Sequence, residues 1–247
     1  MRVISPFRSF CLGLLLVPAI GFSLGTTWLL LGRSPLGDFC GIVLVMAAIV
    51  FFCLYIMVEY RLIVRFWPIP EGDIAEDSRE ELIYHLHLGF YLMVFNPIMY
   101  SQLLPIPLRR LFYLALGARL GRNTFPAGTL FDLPFLVMGD NTMIGDRATL
   151  CPHLITGKRL SYARIRIGNN VTVGVGAVIF SGAVIGDDAC ISAGAIVGPY
   201  AVIGEHAVVK PCSYVKAHTR VPPGEVWSGV PATPESGRVS PLAAGTA

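Results

Sequence analysis

Five histidines could carry acid–base chemistry, and His153 differs from the others in its place in the sequence. It lies in the segment CPHLITGKRLSYAR (residues 151–164), which interrupts a regular six-residue pattern. Loops on a rigid scaffold often hold functional residues. An imidazole with an ordinary pKa of about 6.5 can accept a hydroxyl proton at neutral pH, and the hydroxyl becomes nucleophilic only when that proton leaves. His153 is therefore the candidate general base. The other histidines are expected to be structural or solvated: His85, His87, His206 and His218.

The cysteines do not form a recognisable metal site. They lie far apart, without a CxxC motif or a Cys/His cluster at zinc-ligand spacing. We expect them to be reduced side chains that fill lipid-facing and core positions, and we expect no metal. The six positions are Cys11, Cys40, Cys53, Cys151, Cys190 and Cys212.

The scaffold around His153 is predicted from the six-residue period itself. A helix repeats every 3.6 residues and cannot produce this period, whereas a short strand followed by a turn can. Glycine often follows the repeated aliphatic residue, and a small residue, usually Ala, stands four positions after it. Each hexapeptide therefore forms one wall of a prism whose aliphatic side chains point inward, with about five coils over residues 120–232. The repeated positions are Ile167, Val173, Ile179, Ile185, Ile191, Val197, Ile203, Val209 and Val215.

The first part of the chain is predicted to lie in a membrane. Hydrophobic residues make up 54% of the sequence and charged residues 14%, and the mean hydropathy is +0.64, which excludes a disordered chain, a coiled coil and a wholly water-soluble globule. Residues 10–31 and 39–58 are each about long enough for a spanning helix, so residues 1–67 are expected to hold two transmembrane helices. A cleaved signal peptide is the alternative for the first run, but that run exceeds the usual apolar core of about 7–15 residues.

The charged residues bear on the expected partners and on the membrane topology. The net charge of +3 comes without a basic run, so nucleic acid is not an expected partner. Arg2 and Arg8 precede the first hydrophobic run, while Arg61 and Arg65 follow the second. The positive-inside rule then places both ends in the cytoplasm.

Residues 68–119 are predicted to form an acidic linker and interfacial amphipathic helices. Ser78 and Glu81 have the spacing of a capping box that opens a helix. Residues 82–104 are apolar but carry two histidines and an Asn-Pro pair, which favours a helix in the headgroup plane. A third span is the alternative, and it would move the repeats across the membrane. Residues 233–247 have the composition of a flexible tail.

Residues 120–231 resemble the hexapeptide-repeat acyltransferases. The segments that carry this resemblance are IGDRATLCPH, RIRIGNNVTVGVGAVIFSGAVIGDDACISAGAIVG and VPPGEVWSGVPA. The last is similar to the closing signature of sugar O-acetyltransferases, with Val230 in place of the usual Asn. A membrane zone before such a domain also resembles the terminal region of peptide synthetases that make poly-amino acids. The resemblance implies membrane α-helices followed by a left-handed parallel β-helix, a homotrimer, and acetyl-CoA as co-substrate.

The resemblance also implies roles for individual residues. His153 matches the family's base, which takes the proton of an acceptor that attacks the acetyl-CoA thioester directly, and Asp132 falls where an acidic or polar residue lies near the acceptor. Lys210, Lys216 and Arg220 are placed to meet the nucleotide phosphates, and Trp227 to close over the adenine; solvated surface and a lid on the core remain the alternatives. Corner geometry is the alternative for the glycines. The predicted pantetheine residues are Gly174, Gly176, Ser181, Gly182, Ser192, Ala193 and Gly194.

Taken together, these features predict a multi-pass protein of the bacterial inner membrane whose β-helix faces the cytoplasm. Its expected activity is O-acetyl transfer to a lipid-linked sugar or another membrane-associated acceptor. N-acyl or aminoacyl transfer, as in peptide-synthetase-like biosynthesis, is the first alternative. A non-catalytic trimeric scaffold is the second, since a fold alone does not imply activity. A zinc hydratase would need three histidines at one interface, and the required spacing is missing.

Overall fold

The computed structural model describes residues 6–35, 37–76, 78–100 and 104–235. The chain divides into a helical unit, residues 1–69 and 75–101, and a solenoid unit, residues 70–74 and 102–247. Arg2, used in the topology prediction, and residues 236–247 of the predicted tail lie outside the described residues.

The helical unit begins with two long apolar helices. Helix α1 spans Pro6–Leu31, a short 3-10 turn spans Gly37–Phe39, and helix α2 spans Cys40–Phe66. Two polar contacts join the helices: Ser23 Oγ donates to the Ala48 carbonyl at 2.5 Å, and Thr26 Oγ1 lies 2.7 Å from Tyr55 Oη. Most other side chains on these helices are apolar and exposed within the unit. Such a pair suits a lipid environment, where polar side chains join helices and apolar ones face outward.

A third helical segment follows the linker. Helix α3 spans Arg79–Phe90 and continues through a π-helical turn, Tyr91–Phe95, into α4, Asn96–Tyr100. The predicted cap is confirmed, because Ser78 Oγ accepts the Glu81 amide at 3.1 Å. Three segments are long and apolar enough to cross a membrane: Gly13–Leu31, Gly37–Phe66 and Arg79–Met99. The third segment, predicted as interfacial, therefore also meets the length and composition of a span.

The solenoid unit confirms the predicted fold class of parallel hexapeptide coils. Its three faces are parallel sheets with six, six and five strands, so there are about six turns rather than about five. The first face contains Arg119–Leu120 (β2), Leu136–Met138 (β5), Ile165–Ile167 (β10), Val184–Ile185 (β13), Val202–Ile203 (β16) and Arg220–Val221 (β19). The second contains Phe125–Pro126 (β3), Met143–Ile144 (β6), Thr172–Val173 (β11), Cys190–Ile191 (β14), Val208–Val209 (β17) and Val226–Gly229 (β20). The third contains Thr129–Leu130 (β4), Thr149–Cys151 (β7), Val178–Phe180 (β12), Ile196–Val197 (β15) and Tyr214–Val215 (β18).

The repeated aliphatic residues form the core of the solenoid, as the period predicts. All nine, from Ile167 to Val215, are buried, and the alanines of the repeat are buried with them: Ala177, Ala183, Ala189, Ala195, Ala201 and Ala207. Each aliphatic residue stands in register with its equivalent one turn away, for example Val173 with Ile191. Stacking of this kind removes a continuous column of apolar surface from water.

Both ends of the column are covered. Helix α5, Ile106–Leu116, packs on the first turn, where Tyr113 Oη donates to the Gly128 carbonyl at 3.1 Å. At the other end, Ala232–Pro234 (β21) pairs antiparallel with β20. Trp227 stands in register with the buried Val209 but is itself partly exposed, while its neighbour Val226 is buried. Thr233 and Pro234, placed in the predicted flexible tail, are therefore part of this strand, and the Glu235 amide donates to the Val226 carbonyl at 2.8 Å.

The insertion is a hairpin. His153–Thr156 (β8) and Arg159–Tyr162 (β9) run antiparallel, and Gly157 in the turn has a φ of +61°. A strand from the acidic linker, Gly72–Ile74 (β1), pairs with the other edge of β9. This part of the linker therefore belongs to the solenoid unit, because it adds a third strand to the sheet that the hairpin forms.

Candidate active site

The hairpin is fixed to the solenoid by a buried serine. Ser181 Oγ donates to the Pro152 carbonyl at 2.5 Å and accepts the Ala163 amide at 3.1 Å, so it joins the residues at the base of the hairpin. Ser181 has no exposed surface. It was predicted to line the pantetheine path, and the structure corrects this: Ser181 is a structural residue of the site.

The central contact joins the two residues predicted to be catalytic. His153 Nδ1 lies 2.5 Å from Asp132 Oδ2, although the residues are 21 positions apart. Since a carboxylate only accepts hydrogen bonds, Nδ1 carries the proton and donates it. The side chains are 28% and 19% exposed, so the pair is accessible to a substrate without being fully solvated. The structure therefore brings together the predicted base and its predicted orienting group.

Asp132 adopts an unusual backbone conformation at this point. It follows β4 and precedes a 3-10 turn, Leu133–Phe135, and its φ is +44°. Residues other than glycine seldom occupy this region, and Asn and Asp tolerate it best. The conformation directs the chain out of the regular turn and places the carboxylate against His153.

Two effects act on the pKa of His153 in opposite directions. Burial lowers the pKa of His153, but the hydrogen bonds to Asp132 and Cys151 and their negative charge outweigh burial, and the pKa of His153 is raised above its ordinary value. The imidazolium form is therefore favoured in the free site at neutral pH. As the pH rises, the imidazolium loses that proton, and the neutral imidazole can then act as a base.

Aromatic rings surround the pair. Phe131 meets the His153 ring edge-on with centroids 6.0 Å apart, and Tyr162 lies at the same distance on a tilted plane. Tyr162 Oη is 3.5 Å from Asp132 Oδ1, a long contact, and its ring stacks on Phe135 at 4.9 Å. These rings limit water around the carboxylate and hold the imidazole plane.

Cys151 is the site residue that sequence reasoning missed. It was predicted to be an inert filler, but its Sγ lies 3.5 Å from His153 Nε2, on the ring nitrogen opposite Asp132. The signal was present in the spacing, since residues at i and i+2 in extended chain point to the same side. The side chain is partly exposed, unlike that of Leu150 beside it, which is fully buried.

Most of the predicted pantetheine glycines serve the stacking of turns. A Cβ on Gly174 would lie 2.6 Å from the Ser192 carbonyl carbon, so only glycine permits this approach. A Cβ on Gly182 would meet the Tyr200 ring, and one on Gly194 would lie 3.2 Å from Cys212 Sγ, so these two face side chains of the next turn. Gly176 differs, because it has a φ of +67° and a Cβ there would meet open space. Among the other two positions, Ser192 is partly exposed and Ala193 is exposed.

The residues predicted to bind the nucleotide lie on the late turns, and their surroundings differ. Lys210 Nζ forms an ion pair with Glu235 Oε2 at 2.7 Å, so its charge is already compensated. Lys216 and Arg220 are exposed. Trp227 Nε1 donates to Glu225 Oε2 at 2.7 Å, and its place at the end of the core favours the alternative of a lid on the solenoid.

The remaining histidines behave as predicted where the structure describes them. His206 and His218 occupy corners with positive φ, and His218 stacks on Tyr200 at 5.2 Å. His85 and His87 are buried in the helical unit, where His87 Nδ1 lies 3.3 Å from Tyr60 Oη.

Comparison with known proteins identifies the repeat. The family described as bacterial transferase hexapeptide (six repeats) matches residues 182–217. This match and the observed solenoid confirm the resemblance to hexapeptide-repeat transferases that the sequence suggested. The matched segment follows the His153 hairpin in the chain and does not include it. No curated protein matches the chain.

Three of the solved structures that are similar to parts of this chain are the following. A hexapeptide-repeat acetyltransferase from Vibrio cholerae, also solved with acetyl coenzyme A, is 22% identical over 56% of this chain and 84% of that chain, with a TM-score of 0.47. A maltose O-acetyltransferase from Clostridium difficile is 17% identical over 74% of this chain and 87% of that chain, with a TM-score of 0.35. An N-acyltransferase from Bacillus cereus, in complex with dTDP and 3-hydroxybutyryl-CoA, is 14% identical over 53% of this chain and 88% of that chain, with a TM-score of 0.32.

Proposed function

We propose that this protein is a membrane-anchored acyltransferase that moves an acetyl group from acetyl-CoA to a hydroxyl of a membrane-associated acceptor. The observation that carries the proposal is the 2.5 Å contact between His153 Nδ1, on the hairpin that projects from the hexapeptide turns, and Asp132 Oδ2, which follows β4 in the solenoid. An oriented, partly buried histidine where a hairpin interrupts such a scaffold is an arrangement suited to general base catalysis.

The geometry supports a role for each atom of the pair. Nδ1–H donates to Asp132, which leaves Nε2 to accept a proton. When the acceptor hydroxyl attacks the acyl carbonyl carbon, Nε2 takes its proton, and Asp132 stabilises the imidazolium that forms. The carbon–sulfur bond of the thioester then breaks, and the departing thiolate recovers the proton. Because the pKa of His153 is raised, activity should increase with pH above neutrality.

Acetyl-CoA is proposed to bind along the outer surface of the turns that follow the hairpin. Gly176 and Ala193 leave the backbone accessible there, and the exposed Lys216 and Arg220 offer cations for the phosphates. We place this surface against a neighbouring subunit in a homotrimer, so that His153 of one copy faces the Gly176 turn of the next. A variant that dissociates the trimer without unfolding it should lose turnover, and a fully active monomer would contradict the shared site.

The acceptor is proposed to be lipid-linked. A groove between α5 and the first turn combines apolar side chains, such as Ile106, Leu111 and Phe125, with the cations of Arg110 and Arg122. Apolar and cationic groups side by side suit an acyl or prenyl chain attached to an anionic headgroup. This groove belongs to the same unit as His153.

The helical unit is proposed to anchor the protein in the bacterial inner membrane with the solenoid in the cytoplasm, where acetyl-CoA is made. An arrangement with two spans, α1 and α2, supports this orientation, because Arg8 lies near the start of the first and Arg61 and Arg65 lie near the end of the second. The third segment is proposed to remain membrane-associated without crossing, since Glu81, His85 and His87 are buried in it. A topology reporter fused after Ala247 checks this, and an extracytoplasmic signal would separate the site from its donor.

The first experiment compares native protein with His153→Ala in detergent. We measure acetyl-CoA binding by calorimetry and CoA release by free-thiol detection. We expect both proteins to bind acetyl-CoA, and the variant to release CoA about 10²- to 10⁴-fold more slowly.

His206→Ala is the matched control, because His206 Nδ1 also faces a carboxylate, Asp188 Oδ2, but at 3.9 Å and on an exposed corner. It should release CoA at the native rate. Failure of the native protein to bind acetyl-CoA would remove the donor and leave the scaffold alternative.

A further inference from the structure

We infer that helix α5 and the first two turns of the solenoid form a surface that rests on an anionic phospholipid bilayer. The inference deepens the proposed function, on which it rests, because the groove proposed for the lipid of the acceptor lies within this surface. We call it the first-turn surface, and its residues are Leu108, Arg110, Leu111, Arg122, Phe125 and Met143.

Helix α5 carries apolar side chains on both of its sides. The inner side packs on the first turn through the buried residues Phe112, Tyr113 and Leu116. Leu108 and Leu111 lie on the outer side, about one helical turn apart, and both are exposed. A helix that faces water on one side normally carries polar residues there. The exposed leucines therefore favour a second apolar partner for α5.

The first two strands of the second face extend this apolar region. Phe125 of β3 and Met143 of β6 stand in register on neighbouring strands. Both point outward and are exposed, since the adjacent Pro126 and Ile144 are buried. Thr172, which is in register with Met143 on the next turn, is exposed and polar. The exposed Phe125 and Met143 thus lie at the end of this face next to α5.

The segment that forms most of this surface is basic. Residues 104–131 contain four arginines and no acidic residue. Arg110 and Arg122 line the same groove as Leu111 and Phe125, so cations and apolar side chains lie side by side. This combination complements a surface that has both negative charge and apolar chains.

The positive charge of the groove is only partly compensated. The Arg110 guanidinium donates to the Gly121 carbonyl at 2.8 Å, and a neutral carbonyl leaves its charge in place. The Asp140 carboxylate accepts the Arg122 backbone amide at 2.6 Å, which brings one negative charge to the edge of the groove. Two arginines beside one carboxylate leave a net positive charge.

A bilayer fits these features together. Apolar side chains of an interfacial surface enter the boundary between headgroups and acyl chains, and arginines contact the anionic headgroups. In the sequence, α5 begins six residues after Tyr100, which ends the third helical segment. That segment is long and apolar enough to cross a membrane. The chain therefore enters α5 from a segment suited to lipid, which favours a bilayer over a soluble protein as the partner.

The first-turn surface also bears on the acceptor. Asp132 follows Phe125 by seven residues and lies at the end of the same turn. With this turn resting on the bilayer, a lipid-linked acceptor would enter the groove directly from the membrane, and its headgroup would remain near the turn that holds Asp132.

The test uses photo-crosslinking of full-length protein in nanodiscs of phosphatidylcholine, with or without phosphatidylglycerol. Single variants carry the probe at three positions: Leu108→p-benzoylphenylalanine, Phe125→p-benzoylphenylalanine and Met143→p-benzoylphenylalanine. We expect irradiation to attach phospholipid at all three, detected by intact mass. Leu108 and Met143 decide the result, because they do not line the groove. Val175→p-benzoylphenylalanine is the matched control, since Val175 is an exposed apolar residue on a later turn, and it should gain no lipid.

Charge gives a second readout. Arg122→Gln should lower the yield of adduct at Met143 by about fivefold in the anionic nanodiscs, the factor expected for one basic residue at such a surface, and should change it little in neutral ones. An equal loss in both would contradict an anionic bilayer.

Three outcomes would overturn the inference. Lipid attached at Phe125 alone would indicate a single lipid held in the groove, a covalent protein dimer at Met143 would assign the surface to a second copy, and equal lipid adducts at Val175 would indicate unspecific labelling. Retained β-sheet circular dichroism shows that each variant is folded. The proposed function is tested separately, because only failure of native protein to bind acetyl-CoA would contradict it.

Discussion

The regular turns, residues 165–221, and the insertion site around residues 151–164 use the same kinds of residue for different purposes. In the regular turns each side chain has a place set by the six-residue period: aliphatic residues lie inside and polar residues lie at corners. At the insertion the period stops, and polar side chains from separate strands meet at short distances. A repetitive scaffold thus supplies stability, and its interruption supplies a site.

Two His–Asp pairs show the difference at the level of atoms. His206 and Asp188 lie 3.9 Å apart with side chains 69% and 41% exposed, on a corner where solvent screens their interaction. His153 and Asp132 lie 2.5 Å apart among aromatic rings, and the pKa of His153 is raised as a result. The same two residue types form a close, partly buried pair where the chain leaves the repeat.

The largest expected effect on stability is in the regular turns. Ile191→Ala removes a fully buried side chain from the stacked column and should lower the free energy of unfolding by about 2–5 kcal/mol. The measurement is the thermal midpoint of the β-sheet circular dichroism signal in detergent. Thr172→Ala, at an exposed position of the same face, should leave the midpoint unchanged. Turnover by the folded Ile191→Ala protein should stay near native, and a selective loss of turnover would break the division between scaffold and site.

The next largest effect is a loss of turnover, and it is expected at the insertion site. Asp132→Asn keeps a residue that tolerates positive φ but removes the carboxylate from Nδ1. Loss of a hydrogen bond to a charged group corresponds to about 1.5–3 kcal/mol, or roughly a 10- to 150-fold loss of turnover. The thermal midpoint should change less than in Ile191→Ala.

The pH profile of Asp132→Asn gives a second readout. With the carboxylate gone, burial remains and lowers the pKa of His153, so the acidic limb of kcat/KM should move to lower pH than in native protein. If Asp132 had only a structural role, its substitution would lower the maximum of kcat/KM without moving the acidic limb. The raised pKa in native protein also means that the pair stabilises the fold fully below a pH of about 6.5 and loses this contribution as the pH rises through the folded pKa.

A smaller loss of stability and turnover is expected where the insertion joins the regular turns. Ser181→Ala removes one hydrogen bond from the Pro152 carbonyl and one from the Ala163 amide, which stay bonded to each other at 3.1 Å, so the expected cost is about 0.5–1.5 kcal/mol per lost bond. Since Pro152 lies between Cys151 and His153, turnover should fall as well, while the β-sheet signal of the regular turns stays intact. Amide hydrogen exchange confined to residues 151–164 would locate the change, and faster exchange across residues 165–221 would contradict a local role.

The smallest effect is expected at the outer edge of the hairpin. Asp73 Oδ2 and Arg159 Nη2 lie 2.5 Å apart, but their side chains are 58% and 78% exposed. Exposed ion pairs contribute little, because water and salt screen them. Asp73→Ala should therefore leave both the thermal midpoint and turnover within error of native values. A measurable loss of turnover would show that the linker strand helps to position the site.

Individual residues show how far the sequence could predict the site. His153 and Asp132 were found because a break in a period and a family resemblance point to them. Cys151 was missed, since a single cysteine carries no periodic signal and its significance lies in a 3.5 Å contact. Ser181 was assigned to the cofactor surface because its neighbours in the repeat are glycines, but it is buried beneath the hairpin. The linker strand was missed because Gly72–Ile74 pairs with residues about 90 positions away, a distance no local pattern encodes.

The sequence by itself determined the solenoid, its core and the two long apolar helices. Their signals are local: a period of six residues fixes which side chains lie inside, and a long apolar run fixes a helix suited to lipid. Only the tertiary structure decided which polar groups meet. The contacts of Asp132, Cys151 and His153 depend on a positive φ at Asp132, on the hairpin and on its anchorage at Ser181. These contacts join residues that are separate in the chain, so their chemistry arises from the packing of turns and not from any one segment.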